Sequence, residues 1–228
     1  MAMHHWGFAL VSLVLGPWSN WPARAYLRSG YQLRLGAVQS HLTDCLDEAA
    51  PGTLRLVSIC AGDGRDVIGV LESHPRRADV EAWLVELDRK SVESGRKSAE
   101  AKGLTDRVTF INGDATDYAT YSNIVPCDIV VMCGVLGHVR PSERAEMVKK
   151  AARFCKPGGA IIWTRGVKQG RSRLAEVERL FDHAICEKVR SSITPDEKWG
   201  VVTHRYVGQP HISPSGGRIF TFDRIAGR

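Results

Sequence analysis

The sequence predicts an α/β fold: a doubly wound, mostly parallel sheet with an antiparallel strand at one edge and an N-terminal helical cap. Three observations carry the prediction. Strand-like apolar runs alternate with helix-like segments from Leu54 to Asp182. One of the runs, CDIVVM at 127–132, is continuously apolar from Ile129 after a single Asp128, as a parallel strand buried on both faces should be. Ahead of them, Leu27, Tyr31, Leu35, Val38, Leu42 and Leu46 recur at steps of three and four. That spacing marks one face of a long helix over 21–50, which Pro51-Gly52 ends.

Each element follows in order. LRLVSI (54–59) reads as a buried strand, followed by a loop and a helix to about Ser73. AWLVEL (82–87) is the second strand, and the helix over 89–102 is closed by Gly103. RVTFI (107–111) is the third strand and CDIVVM the fourth. A helix over 141–155 is stopped by Pro157-Gly158-Gly159, and AIIWT (160–164) is the fifth strand. A helix over 171–182 and three strand candidates, AICEKVR, VVTHRYV and RIFTF, complete the chain. No repeat or linker divides it. It reads as one structural domain, with 1–50 as the cap and 51–228 as the sheet domain.

The 228 residues are 43% hydrophobic and 25% charged, in the globular range. The net charge of +6 permits an anionic partner without requiring one. The densest basic stretch, 167–180, mixes Glu with Arg at helical spacing and reads as a solvated face, so a nucleic-acid partner is not expected. Six cysteines include no C-x-x-C pair and no zinc-like Cys/His spacing, which fits a reducing cytoplasm and no metal. Phe8–Leu15 is apolar, and Ala23-Arg24-Ala25 resembles a signal-peptidase site. No Lys or Arg precedes the run, and it falls short of the ~18 apolar residues of a membrane span. It is read as a segment packed on the domain, with no membrane contact.

The stretch SICAGDGRD, Ser58 to Asp66, joins the first strand to its helix. Ligands of such sheets bind beyond the carboxyl ends of the strands, where helix-start N–H groups favour anionic or polar groups. Gly62 and Gly64 would let backbone approach a ligand without a Cβ in the way. The dinucleotide pattern G-x-G-x-x-G fails, because Val67 holds its third glycine position. The second strand ends in Glu86, about 20 residues on, where a carboxylate can accept from both hydroxyls of a ribose. Asp88 reads as the N-cap of the next helix. Asp114, in NGDATD after the third strand, can face an adenine amine, cap a helix, or do both.

This order of Gly loop, acidic strand end, G-D-A, apolar fourth strand and K-P-G-G resembles the class I S-adenosylmethionine-dependent methyltransferases over about Leu54 to Thr164. The resemblance implies a seven-stranded sheet and S-adenosyl-L-methionine as cofactor. It implies a methionine end near Ser58, Cys60, Ala61, Gly62 and Gly64, with Cys133 and Gly134 opposite. The ribose then falls to Glu86 beside Leu87, and adenine to Asp114 and Ala115. Ser58 and Cys60 stand where that family usually has an acid and a glycine. Serine can still bond water or the cofactor's amine. Cysteine carries a Cβ, so the turn is expected to keep φ negative there, and its role is expected to be packing.

The acceptor is expected to be a small molecule, enclosed by the N-terminal cap, with transfer to O, N or S. Cys133-Gly134 replaces both a base-amino Pro-Pro-Tyr type motif and an acidic metal ligand. His138 would take a proton from the acceptor or cap the following helix. Arg165 would bind an acceptor carboxylate or phosphate, or face solvent. Tyr31 and Arg34 would close over the cofactor, or Tyr31 would pack in the core. RNA or protein as acceptor, and a cofactor-binding regulator without turnover, are the alternatives. Oligomeric state is left open.

Overall fold

The computed structural model describes residues 29–167, 172–210 and 216–223. The apolar segment Phe8–Leu15, the Ala23-Arg24-Ala25 site and the part of the first helix before Ser29 lie outside the described residues.

Seven strands form one sheet: β1 (Leu54–Ile59), β2 (Val80–Glu86), β3 (Val108–Asn112), β4 (Cys127–Met132), β5 (Cys155–Gly166), β6 (Cys186–Ile193) and β7 (Trp199–Tyr206). Their order is β3-β2-β1-β4-β5-β7-β6. Neighbours from β3 to β5 pair in parallel, and β7 is antiparallel to both β5 and β6. The antiparallel member therefore sits one place in from the edge, as half of a terminal hairpin. The strand order reverses between β1 and β4, which makes the loops after those two strands the walls of the ligand crevice.

Five helices cover the sheet among the described residues: α1 (Ser29–Glu48), α2 (Arg65–Leu71), α3 (Arg89–Ala101), α4 (Pro141–Ala152) and α5 (Ser172–His183). Strand side chains alternate between two cores. Leu56, Leu84, Ile129 and Ile162 meet α1, α2 and α3 through Leu42, Ile68 and Val92. Val57, Val130, Ile161 and Trp163 meet α4 and α5 through Met147, Val148, Val177 and Phe181. The three- and four-residue spacing in α1 serves the first core, where Val38, Leu42 and Leu46 are buried. Polar contacts fix α1 across the hairpin: the His41 ring lies 2.7 Å from Thr203 Oγ1 and 2.8 Å from Ser192 Oγ.

Three boundaries depart from expectation. The helix over 141–155 ends at Ala152, because Phe154 and Cys155 already join the sheet: Cys127 N donates to Phe154 O at 2.8 Å. Pro157-Gly158-Gly159 lies inside β5 instead of ahead of it. Proline lacks the ladder N–H and Gly158 has φ +83, and the β4–β5 register shifts between Cys127 and Ile129. RIFTF is not a strand. It crosses the carboxyl ends as a strap held by two isolated bridges, Asp117–Arg218 and Val139–Phe222. Its Ile219 and Phe220 are buried in the α4-side core, so burial and not sheet pairing explains their apolar character.

Candidate active site

The loop between β1 and α2 is built from three left-handed residues. Cys60 has φ +57, Gly62 +59 and Gly64 +69. The negative φ expected at Cys60 is therefore corrected. A side chain in that region costs about 1–2 kcal/mol, and neighbouring bonds hold it there. Ala61 N donates to Val85 O at 3.0 Å and Gly64 N to Ala61 O at 3.0 Å, locking the turn on both sides of Gly62. The Cys60 side chain packs against the core, and burial, with the charges of Glu86 and Asp114, pushes its thiol well up. It stays a protonated apolar group, as its packing role requires.

The two glycines do different work. A Cβ on Gly62 would meet nothing within 4 Å, so this residue faces open space and leaves room for a ligand. A Cβ on Gly64 would lie 2.3 Å from Leu84 Cδ2 and 2.9 Å from Phe110 Cζ. Gly64 is thus required by packing of the loop on β2 and β3, not by ligand approach. Ser58, 2% exposed inside β1, sits beneath the loop and not on its rim.

Glu86 ties the first wall together. Its Oε2 accepts from Gly62 N at 2.8 Å and its Oε1 from Asp88 N at 2.9 Å. Burial raises its pKa, against the lowering effect of those backbone donors. Leu87 beside it is 49% exposed, an apolar lip on the crevice. Asp88 caps α3, accepting from Ser91 N at 3.0 Å and Ser91 Oγ at 2.7 Å.

Asp114 caps its own turn: Oδ1 accepts from Thr116 N at 2.9 Å and Thr116 Oγ1 at 2.7 Å. Its Oδ2 lies 3.8 Å from Arg218 of the strap. Ala115 is 5% exposed and lies in the core below. Arg218 was not foreseen, since nothing local links it to a loop a hundred residues earlier. It donates to Thr116 Oγ1 at 3.0 Å and so braces the same turn.

The facing wall follows β4. Gly134 has φ +79, and its N–H donates to Thr164 Oγ1 at 2.8 Å, pinning the loop to β5. Burial pushes the Cys133 thiol up. Above this wall lies an aromatic-cation stack from α1 and β7. The Arg34 guanidinium sits 5.0 Å from the Tyr31 ring centroid and 4.8 Å from that of Trp199, with the rings 5.5 Å apart. Arg34 Nη1 would be 3.4 Å from a Cβ on Gly134. Trp199 was missed because its pairing with α1 is purely tertiary.

Two further groups complete this side. Asp66, the last residue of SICAGDGRD, accepts from Val67 N at 2.9 Å, and burial raises its pKa while the Arg34 charge opposes that rise. His138 is half-buried. Burial, then the charges of Arg165 and Arg34, lower its pKa, so its ring is neutral at neutral pH. The strap holds this loop too, with Asp223 N donating to His138 O at 2.7 Å. Arg165 is half-buried, with Nη1 3.0 Å from where a Cβ on Gly137 would sit. The structure therefore gathers Gly62, Glu86, Leu87 and Asp114 on one side. It gathers Gly134, Arg34, Tyr31, His138 and Arg165 on the other.

Residues 57–159 match the family described as a methyltransferase domain. Over 130 residues the chain is 26% identical to tRNA 5-carboxymethoxyuridine methyltransferase of Escherichia coli (strain K12), covering 57% of this chain and 47% of that protein. Over 119 residues it is 26% identical to carboxy-S-adenosyl-L-methionine synthase of Wolinella succinogenes, covering 52% and 45%. The chain spans less than half the length of the curated relatives it matches. Among solved structures, magnesium protoporphyrin IX methyltransferase from Synechocystis PCC 6803 with bound cofactor superposes with a TM-score of 0.60 at 14% identity, covering 87% of this chain and 90% of that one.

Proposed function

We propose that the chain, whose residues 57–159 match a methyltransferase domain, is a class I S-adenosylmethionine-dependent methyltransferase that transfers a methyl group directly to oxygen, nitrogen or sulfur of a small-molecule acceptor. The observation that carries this reading is Glu86. One carboxylate at the end of β2 bonds the N–H of the one loop glycine that faces open space.

The residues fit the cofactor. Each Glu86 oxygen accepts one backbone N–H and has a second lone pair for a ribose hydroxyl. Gly62 leaves room for the methionine end, Leu87 offers an apolar surface for a flat base, and Asp114 keeps Oδ2, 3.8 Å from Arg218, outside the hydrogen bonds of its own turn. Among the described residues Arg34 has no carboxylate within ion-pair distance, and it sits beside Gly134, where it would meet the cofactor's carboxylate. Bound S-adenosylmethionine supplies a methyl group already activated on a sulfonium. The chain's own task is then to align the acceptor and accept a proton where one is released. A neutral His138 is able to take that proton. The side it faces is lined by Arg34 and Arg165, cations that oppose a divalent metal there, which supports a metal-independent reaction.

The test uses the purified chain with methyl-labelled cofactor and two acceptor pools, a filterable metabolite fraction and total RNA. Label passing into the filterable fraction is the expected result. Label retained on RNA would support the second reading, which rests on the similarity to a tRNA methyltransferase and the +6 charge. Cofactor binding without transfer to either pool would favour a regulator. Calorimetric binding of NAD, with none of S-adenosylmethionine or its demethylated product, would sink the proposal.

A further inference from the structure

Arg165 lies next to the last residue of β5, its charge facing the acceptor side of the crevice. Its Nε is buried and, among the described residues, has no hydrogen-bond partner. Among the described residues no carboxylate lies within ion-pair distance of its guanidinium. The neighbouring charges make the position worse, because burial, Arg144 and Arg173 all lower its pKa. Glu176 acts in the opposite sense, but it is committed to Arg144, whose Nη1 lies 3.2 Å from its Oε1. A buried charged donor left without an acceptor is unfavourable, and an anionic acceptor at the guanidinium would supply both the missing bond and the balancing charge.

The approach to this donor is open on one side. Gly137 is exposed, and a Cβ there would lie 3.0 Å from Arg165 Nη1, so the missing side chain leaves the guanidinium reachable. Gly137 is three residues from Gly134, a span of at most about 11 Å. His138 lies alongside, close enough for the Arg165 charge to act on it. An anionic group on Arg165 and a nucleophile facing the cofactor therefore belong within one small molecule.

We propose that Arg165 binds a carboxylate or phosphate of the methyl acceptor, so that the acceptor class is a small organic anion. This rests on the methyltransferase reading above. The planar guanidinium fork matches either group, and the neutral His138 ring is placed beside it. Arg165 in this role is a specificity-determining residue. It sets which molecules dwell in the crevice, while the Arg34 stack stands farther along the same wall, beside Gly134.

The test is calorimetry on the full chain saturated with S-adenosylhomocysteine, titrated with inorganic phosphate, benzoate and the neutral benzamide. Phosphate or benzoate should bind and benzamide should not, which also tells the two anion chemistries apart. Arg165→Met should weaken that binding at least tenfold, with S-adenosylhomocysteine affinity within threefold of the parent. Arg165→Lys should recover part of the loss, and Gly137→Ala should weaken binding by displacing Nη1. Lys97→Met, midway along α3 and exposed, should leave it unchanged.

Failure of both anions to bind a chain that still binds S-adenosylhomocysteine would overturn the anionic acceptor and leave the methyltransferase reading intact. Equal binding by Arg165→Met would do the same. No binding of S-adenosylhomocysteine would remove the methyltransferase reading, and the acceptor assignment with it. Arg165-dependent binding of tRNA without phosphate or benzoate would overturn the small-molecule assignment.

Discussion

Replacing Glu86 by glutamine changes one atom type and tests the centre of the site. Both carboxylate oxygens are occupied, one by Gly62 N at 2.8 Å and the other by Asp88 N at 2.9 Å. Glutamine keeps one acceptor, and in either orientation its amide N–H₂ faces the other backbone N–H. One charge-assisted bond is therefore lost, about 1.5–3 kcal/mol. Burial raises the Glu86 pKa, which means that the charged form carries a desolvation cost that the neutral amide avoids. The net stability loss should then fall near 1–2 kcal/mol.

Cofactor affinity has no such offset. The amide presents fewer acceptors to the ribose hydroxyls, so affinity should fall by about 1.5–3 kcal/mol, roughly 10- to 150-fold. Urea denaturation measures the first quantity and calorimetry with S-adenosylhomocysteine the second. A pH series adds an independent reading. The parent carboxylate, with its raised pKa, protonates on acidification sooner than an ordinary Glu, so parent affinity should decline as pH falls through that value. The glutamine variant should lack this step. A folded variant with affinity within threefold of the parent would refute the assignment of Glu86 to the ribose.

Three other predictions follow from the same geometry. Gly64→Ala should lose about 2–4 kcal/mol, from left-handed strain and overpacking against Leu84 and Phe110. Gly62→Ala should lose much less stability yet bind the cofactor more weakly, and similar stability losses for the two would contradict the division of roles. His41 and His204, 1% and 0% exposed, each have a pKa lowered by burial to about 4. The unfolded chain binds these protons first, so stability is intact above 6.5 and falls as pH drops towards 4, by about 3 kcal/mol for each histidine. Unfolding free energy that stays flat from pH 7 to 4.5 would disprove this, and His41→Gln should make the slope shallower. If His138 takes the acceptor's proton, His138→Ala should lose about 10²–10⁴ in rate with cofactor binding intact. An unaltered rate would leave it a loop residue.

By itself the sequence determined the alternation of strands and helices, because periods of two and near four are local and each element declares its own buried face. It also determined the partnership of the Gly62 loop with Glu86. The carboxyl ends of adjacent parallel strands lie side by side, and the chain order of an open α/β sheet fixes which ends those are. Asp88 as a helix cap was legible for the same reason, since it bonds a backbone N–H three residues away. Asp114, read as a helix cap or an adenine partner, instead caps a turn by accepting from Thr116 N two residues on.

Other features were decided by contacts that local pattern does not encode. Whether a loop glycine serves a ligand or the core depends on what stands opposite, which for Gly64 is Leu84 and Phe110 from two other strands. Cys60 keeps φ +57 because bonds from Ala61 to β2 and from Gly64 to Ala61 close the turn around it, outweighing the preference of its own side chain. Phe220 was apolar enough for a strand, but the chain there met a gap in the core and not a free sheet edge. Arg34 over Trp199 and Arg165 beside Gly137 each join residues far apart in sequence. These neighbours meet only when the sheet brings the cap, β5 and the loop after β4 to one crevice. Spacing along a chain carries no record of such a meeting.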